Sequence, residues 1–306
     1  MRTWLGRAAL ACFIVVCGVA AISAKADDGE QRIGLALGSG GATGLAHIAM
    51  LDVFDELERT PDHIAGTSIG AVIGALYASG LNADEIYDIF DDFAGSNLDA
   101  LSGLVGPGSD LRLRDVMKLG FNDGGVFDAS GFLDFLAGKM PVKTFEELRV
   151  PLSIVATDYW TGDVVVIEEG ELIPAMKASM AVPGLFAPVR KDEQLLIDGG
   201  TSNPLPFDVS GRHAERVIAV DVTGSRSREE DEEPSWVDLL FKTFEIMQQS
   251  IIAARLEMQE PALYLKPDIR DVRLLDFNEI EAILEQSGDA AGRLREWLQE
   301  SAPTED

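Results

Sequence analysis

A serine between two glycines, in the segment Gly66-Thr-Ser-Ile-Gly70, has the G-x-S-x-G pattern of a nucleophilic serine. The segment stands between a short apolar stretch through Ile64 and a helical pattern that begins near Ile69. A serine on a strand-to-helix turn presents its hydroxyl at the amino end of a helix, where free amides and the helix dipole stabilise negative charge. The pattern therefore predicts that Ser68 attacks an acyl carbonyl.

A second glycine-rich segment, Gly38-Ser-Gly-Gly-Ala-Thr-Gly44, follows the apolar run Ile33–Leu37. A dinucleotide-binding turn would need a glycine where Thr43 stands, and a P-loop would need a lysine that the segment lacks. The remaining interpretation is an oxyanion hole formed by the amides of residues 40–42, namely Gly40, Gly41 and Ala42. Each hydrogen-bond donor of this kind stabilises the transition state by roughly 3–4 kcal/mol.

The third segment with chemical potential is Asp198-Gly-Gly200, directly after the apolar stretch Leu195–Ile197. Open α/β sheets place their chemistry at the carboxyl ends of strands, which is where this aspartate is expected. Asp198 is therefore predicted to be the general base for Ser68. A free carboxylate with a pKa of about 4 is a weak base for an alcohol, so we expect burial to raise its pKa toward neutrality.

A triad of Ser68, Asp198 and His213 is the alternative arrangement. His213 lies in a polar stretch that is expected to be exposed, His47 is interpreted as a packed or capping side chain in a helix, and His63 as a turn residue. None of the three histidines of the chain has a favourable context for catalysis, so a dyad without histidine is preferred.

The elements that must position these segments follow from hydrophobic patterning. Strands are predicted at 33–37, 152–157, 164–167, 195–197 and 217–222, with a hairpin turn at 158–162. Helices are predicted at about 45–57, 69–79, 83–94, 130–138 and 235–259, and the glycine-rich stretch 99–127 is expected to be a loop. The last of these helices is expected to pack on the core, with membrane docking or a lid role as the alternative. Alternating strands and helices predict an α/β fold whose mostly parallel sheet is covered on both faces.

Composition limits the functional classes. The chain has 306 residues and a net charge of −27, so binding to a nucleic-acid backbone is excluded. Residues 1–26 have the basic, apolar and small-residue regions of a secretory signal peptide, although an uncleaved membrane anchor is the alternative. Cleavage would remove three basic residues and both cysteines, which leaves 22 basic against 52 acidic residues, a charge of −30. An exported protein, periplasmic or secreted, is therefore expected, without disulfides or thiolate metal sites.

Beyond the signal segment, residues 27–225 are predicted to form the catalytic core, and 226–306 a mostly helical continuation of the same domain. The acidic run 229–233, followed by Pro234, is interpreted as a solvated linker.

Several segments together resemble the bacterial patatin-like phospholipases, from Ile33 to about Arg293. They are Leu35–Gly41 with Gly44–Ile48, Gly66–Gly70, Ala156–Asp158 with Thr161-Gly162, Ala178–Pro183 with Phe186–Pro188, Leu196–Pro206, and Pro267-Asp268 with Leu274–Phe277. The family commonly carries glycine where Ser39 stands and Arg or Lys where Thr43 stands; the Thr43 hydroxyl could replace that cation as a donor.

The resemblance implies a three-layer α/β/α fold and lipid acyl hydrolysis by a Ser68–Asp198 dyad, without metal or cofactor. The expected partner is a lipid or acyl-ester substrate. Given the negative charge of the chain, any peripheral membrane contact is expected to be apolar or with zwitterionic lipid. Two alternatives stay open: a short-chain esterase or thioesterase with the same dyad, and a non-catalytic lipid-binding protein.

Overall fold

The computed structural model describes residues 31–105, 130–225 and 236–301 of the chain. The strands are β1 (Ile33–Leu37), β2 (His63–Thr67), β3 (Leu152–Asp158), β4 (Val164–Ile167), β5 (Val189–Lys191), β6 (Gln194–Asp198), β7 (Arg216–Val220) and β8 (Leu263–Leu265). The helices are α1 (Ala46–Glu56), α2 (Ile69–Ala78), α3 (Ala83–Val105), α4 (Ser130–Lys139), α5 (Leu172–Ser179), α6 (Phe207–Ser210), α7 (Trp236–Met258), α8 (Ile280–Gln286) and α9 (Gly288–Glu300).

The strands form one sheet in the order β5-β6-β3-β2-β1-β7-β8, with β4 paired to β3. The block β3-β2-β1-β7-β8 is parallel, whereas β4 and β6 run antiparallel to β3 and β5 runs antiparallel to β6. The mostly parallel sheet and the hairpin of β3 and β4 are confirmed. In the parallel block β2 lies next to β1, so the two glycine-rich turns that follow these strands begin at the same edge of the sheet.

Alternate residues of the strands pack into different layers, because successive side chains of a strand point to opposite faces. Leu35 and Leu37 of β1 belong to the large core that also contains residues of α1, α2, α8 and α9. Ala36, between them, packs with Phe207 of α6 and Ile252 of α7. Helices therefore cover both faces of the sheet, and the predicted three-layer α/β/α architecture is confirmed.

Some boundaries differ from the sequence prediction. The stretch 99–127 is not a loop throughout, because α3 continues to Val105, and 106–127 lies outside the described residues. Leucines at 98, 101 and 104 keep a helical spacing there, and one interior glycine costs a helix only about 1 kcal/mol. The short strands β5 and β8 and helix α5 were not predicted. The predicted signal peptide 1–26 and the acidic run 229–233 also lie outside the described residues.

Helix α7 departs from the expectation that its large apolar residues pack on the core. Leu239 and Met247 are about half exposed, whereas Gln248 and Ile252 are buried. The sequence pattern predicted that the bulkiest apolar side chains of α7 face the protein. The face of α7 that is buried instead includes Gln248. Among the described helices, none combines the length and apolarity that a membrane span requires.

Candidate active site

Ser68 occupies a strained turn between β2 and α2. Its backbone has φ 56° and ψ −122°, a conformation that residues other than glycine rarely adopt. The two flanking glycines are required by close packing: a Cβ on Gly66 would lie 2.5 Å from the Gly70 carbonyl oxygen, and a Cβ on Gly70 would collide with the Leu37 carbonyl. The predicted elbow is thus present, and its hydroxyl stands at the amino end of α2.

Ser179, at the end of α5, holds this turn in place. Its hydroxyl accepts a hydrogen bond of 2.9 Å from the Ser68 amide and donates one of 2.6 Å to the carbonyl of Val155 on β3. The side chain is fully buried. Sequence reasoning missed this role, although Ser179 lies in one of the segments that carry the family resemblance.

Asp198 ends β6 and is completely buried. Its Oδ1 accepts a 2.6 Å hydrogen bond from the Gly200 amide, while Oδ2 has no hydrogen-bond partner among the described residues. Burial raises the pKa of Asp198 to about 7, against opposing effects of the Ser68 hydroxyl and the Gly200 amide. The Ser68 hydroxyl is among the groups that lower the pKa of this carboxyl, which places it beside Asp198. The expected rise toward neutrality is present.

Two hydrogen bonds hold the main chain of Asp198 in place. Its amide donates to the Ala181 carbonyl at 2.9 Å, and its carbonyl accepts from the Thr157 hydroxyl at 2.9 Å. Both contacts fix the backbone, so the free Oδ2 is the part of the residue left for chemistry.

The glycine-rich turn after β1 offers two of the three predicted oxyanion donors. The amides of Gly40 and Gly41 have no acceptor among the described residues, and both glycines are partly accessible. The Ala42 amide, in contrast, donates a 2.8 Å hydrogen bond to the carbonyl of Leu274. The prediction for Ala42 is therefore wrong in this conformation, because its only proton already has a partner from a segment that the sequence did not place here.

Thr43 and His47 brace this turn from within. The Thr43 hydroxyl lies 2.7 Å from the carbonyls of both Gly40 and Val222, and the His47 Nε2 lies 2.9 Å from the carbonyl of Gly38. The interpretation of His47 as a packed side chain is confirmed, since it is fully buried. The Thr43 hydroxyl is engaged with main-chain carbonyls and so is not a free donor replacing the cation common in the family.

A cavity of about 360 Å³ adjoins these groups and is lined by Ser68, Gly40 and Gly41. Most of its wall is apolar, with large side chains from several elements: Met180, Leu185, Phe186, Phe241, Phe244 and Phe277. This volume falls in the range of small-molecule sites. Such a wall suits an aliphatic chain better than a polar metabolite.

Two further polar residues lie beside the dyad and were not predicted. Gln248 of α7 crosses Gly200 so closely that a Cβ on that glycine would collide with Nε2. The position of that Cβ is 2.8 Å from Asp198 Oδ1 and 3.0 Å from Ser39 Oγ. The Ser39 hydroxyl is buried and has no hydrogen-bond partner among the described residues. No sequence signal indicated Gln248, because α7 is separated along the chain from the glycine-rich motifs and carries no motif of its own.

The remaining histidines do not join this site. His213 Nε2 lies 3.1 Å from Glu168 Oε1, and its ring stacks on His63 with centroids 4.1 Å apart. The prediction that His63 is a turn residue is wrong, because its backbone pairs with Gly34 of β1 and begins β2. Its side chain is buried. Ser68 follows the opposite end of that strand, so the structure does not assemble a Ser68–Asp198–His213 triad.

A strand-to-helix serine, a buried aspartate and free glycine amides form a combination that is typical of serine hydrolase sites. Residues 35–210 match the profile of a family described as patatin-like phospholipase. The chain therefore belongs to the patatin-like phospholipase family.

Relatives extend this assignment. An uncharacterised NTE-family protein of Mycobacterium tuberculosis is 35% identical over 202 residues, 65% of this chain and 51% of that protein. Patatin-like phospholipase domain-containing protein 6 of Mus musculus is 33% identical over 195 residues, 63% of this chain and 14% of that protein. The chain thus spans about half the length, or less, of these curated relatives. The crystal structure of VipD from Legionella pneumophila aligns with a TM-score of 0.49 at 14% identity, covering 87% of this chain and 67% of that chain.

Proposed function

We propose that this protein is an exported, periplasmic or secreted, serine lipid acyl hydrolase of the phospholipase A or lysophospholipase type. One observation carries the proposal: the elbow serine lines an apolar cavity and lowers the pKa of a buried carboxyl that has an unpartnered oxygen. Family membership supports the class of lipid ester substrate.

The proposed reaction begins with acylation of Ser68. Asp198 Oδ2 takes the proton of the Ser68 hydroxyl as Oγ bonds to the ester carbonyl carbon, whose oxygen becomes an oxyanion. The Gly40 and Gly41 amides and the amino end of α2 stabilise that oxyanion. The protonated Asp198 then gives its proton to the leaving alcohol as the tetrahedral intermediate collapses to an acyl-enzyme on Ser68.

Deacylation repeats the same chemistry with water. Asp198, again ionised, accepts a proton from the attacking water, and the second oxyanion occupies the same amides. As the bond between the acyl carbon and Ser68 Oγ breaks, Asp198 returns that proton to Oγ and the fatty acid leaves. A pKa of about 7 leaves the carboxyl both able to accept a proton near neutral pH and able to return it. This chemistry needs no cofactor.

The substrate class is argued from the cavity wall and the exposed residues of α7. Leu240 is 42% exposed and its side chain lies 3.3 Å from where a Cβ of Gly184 would stand, close in sequence to the lining residue Leu185. With its neighbour Leu239, it offers an apolar contact for a lipid surface, while the net charge of −27 disfavours anionic membranes. Peripheral contact with zwitterionic lipid is therefore part of the proposal.

Two measurements test it. A fluorophosphonate probe should label the wild-type protein at Ser68 and fail to label the Ser68→Ala variant. Turnover of p-nitrophenyl esters should rise from acetyl to long acyl chains. Equal or better turnover of the acetyl ester would favour the short-chain esterase alternative, and absence of both labelling and hydrolysis would favour a lipid-binding protein.

A further inference from the structure

A cluster of two histidines and a glutamate lies away from the proposed catalytic groups. His63 begins β2, Glu168 directly follows β4, and His213 stands in the connection between α6 and β7. Each offers one ligand atom, and the three atoms lie within 4.8 Å of one another. Because β2 rises about 3.3 Å per residue, His63 and Ser68 are separated by roughly 16 Å along the strand. The cluster therefore has no part in the acyl chemistry.

The donor set has the chemistry of a zinc-type site. Imidazole nitrogen and carboxylate oxygen are ordinary ligands of Zn²⁺, and three protein ligands with an open fourth position are a common arrangement. Bonds of about 2.0–2.1 Å at tetrahedral angles put two ligand atoms roughly 3.3 Å apart. The 3.1 Å separation of His213 Nε2 and Glu168 Oε1 already meets this spacing.

Two of the three side chains can move to bring all the ligand atoms to metal-binding distances. The His213 and Glu168 side chains are 40% and 47% exposed, so both can rotate and both open the cluster to solvent. The His213 ring now stacks on His63 at an interplanar angle of 12°, and metal binding would turn it out of this stack so that the two lone pairs converge. His63 stays fixed, since it is buried at the start of a paired strand.

Two serines contact the His63 ring, one at each nitrogen. A metal ion on one nitrogen would replace the serine there, and the other serine would remain as the kind of outer contact that orients metal-binding histidines in proteins. Ser210 Oγ lies 3.4 Å from His63 Nδ1, and Ser153 Oγ lies 3.0 Å from His63 Nε2. Ser153 also donates a 2.5 Å hydrogen bond to Glu168 Oε1.

We propose that His63, Glu168 and His213 bind one divalent transition-metal ion, Zn²⁺ in the first instance, as a structural clip. The ion would join β2, the end of β4 and the α6–β7 connection, three segments far apart in sequence. Water would take the fourth position. The prediction that catalysis needs no metal is unaffected, since the site lies at the other end of β2 from Ser68.

The test uses the whole protein, stripped of metal with a chelator and desalted. Titration with ZnCl₂ should show one site per chain by calorimetry and a melting temperature that rises with Zn²⁺ concentration. CoCl₂ should give a visible ligand-field absorption band. His213→Ala and Glu168→Gln, both at exposed side chains, should weaken binding at least tenfold and abolish the cobalt band.

The matched control is Glu169→Gln, the adjacent exposed glutamate outside the cluster, which should bind as the wild type does. Three outcomes would overturn the proposal: no Zn²⁺ binding, equal loss of binding in Glu169→Gln, or equal stabilisation by CaCl₂. Equal stabilisation would indicate diffuse binding to the many carboxylates of the chain.

Discussion

The two ends of strand β2 contrast in how they treat buried polar groups. At the carboxyl end, Ser68 is strained and Asp198 Oδ2 has no partner among the described residues. At the amino end, both ring nitrogens of the buried His63 have hydroxyl partners. Folding normally satisfies buried polar groups, and the end that leaves one unsatisfied is the end proposed to be catalytic.

The same two ends respond oppositely to acid. The raised pKa of Asp198 makes its buried charge destabilising above about pH 7, and this destabilisation disappears as the pH falls to 3.8. The pKa of His63 is lowered from 6.5 to about 4, so the stability from keeping it neutral is lost as the pH falls through that window. One end of the strand gains stability in acid and the other loses it.

The largest expected effect separates the two ends by mutation. Ser68→Ala should lower kcat by about 10⁵-fold, because the attacking oxygen is removed. His213→Ala should stay within about twofold of wild type in hydrolysis of a soluble long-chain ester. A large loss of hydrolysis in His213→Ala would favour the triad of Ser68, Asp198 and His213 and would contradict the separation of the two ends of β2 into a catalytic end and a non-catalytic end.

Asp198→Asn should cost activity and add stability at once. Loss of the base should lower kcat by about 10³-fold or more. A pKa shift from 3.8 to about 7 corresponds to roughly 4 kcal/mol of destabilisation, which asparagine removes. Denaturant unfolding should therefore show a gain of up to that size above pH 7, shrinking to nothing below about pH 4. A variant less stable than wild type at pH 8 would contradict the account of Asp198.

The pH profile of the wild type should report the same carboxyl. Below about pH 7 the proton occupies Asp198 and kcat/KM should fall tenfold per pH unit, which amounts to about 100-fold at pH 5. Initial rates on a soluble ester, over a pH range in which circular dichroism stays constant, measure this. A profile flat down to pH 5 would exclude Asp198 as the base.

Ser179→Ala tests whether the elbow depends on its brace. Loss of the only described acceptor for the Ser68 amide should lower kcat about tenfold and cost about 1–2 kcal/mol of unfolding free energy. Ser79→Ala is the matched control: that serine is also buried, and it donates to a carbonyl at the other end of α2. It should cost similar stability and leave kcat unchanged. Equal kcat losses in the two variants would mean that Ser179 acts through stability alone.

The smallest effect concerns the lipid surface. Replacing Leu239 and Leu240 together by serine should reduce hydrolysis of phosphatidylcholine vesicles about three- to tenfold and leave a monomeric soluble ester unaffected. Met258→Ser, at an 86% exposed methionine at the end of the same helix, should affect neither substrate. If all variants hydrolyse vesicles at the wild-type rate, α7 is not the contact surface.

The parts of the fold that could be predicted are those with local signals. Ile33–Leu37 was identified as a strand with its observed bounds, since a short apolar run before glycines has few alternatives. The elbow and the aspartate that ends β6 can be predicted because glycines mark positions where backbone approaches backbone closely. Short edge strands such as β5 and β8 carry no such pattern, because their existence depends on a neighbour that is distant in sequence.

The sequence by itself determined the candidate catalytic groups. They are a serine on a glycine turn and an aspartate at a strand end, in a chain whose three histidines lie in unfavourable contexts for a catalytic base. Tertiary structure decided everything that depends on a distant partner. It assigned the Ala42 amide to Leu274, placed Gln248 over Gly200, and brought His63 and His213 together at the far end of β2. The reason is physical: residue type and spacing define local backbone geometry, whereas burial, hydrogen-bond satisfaction and pKa belong to contacts between segments that folding alone brings together.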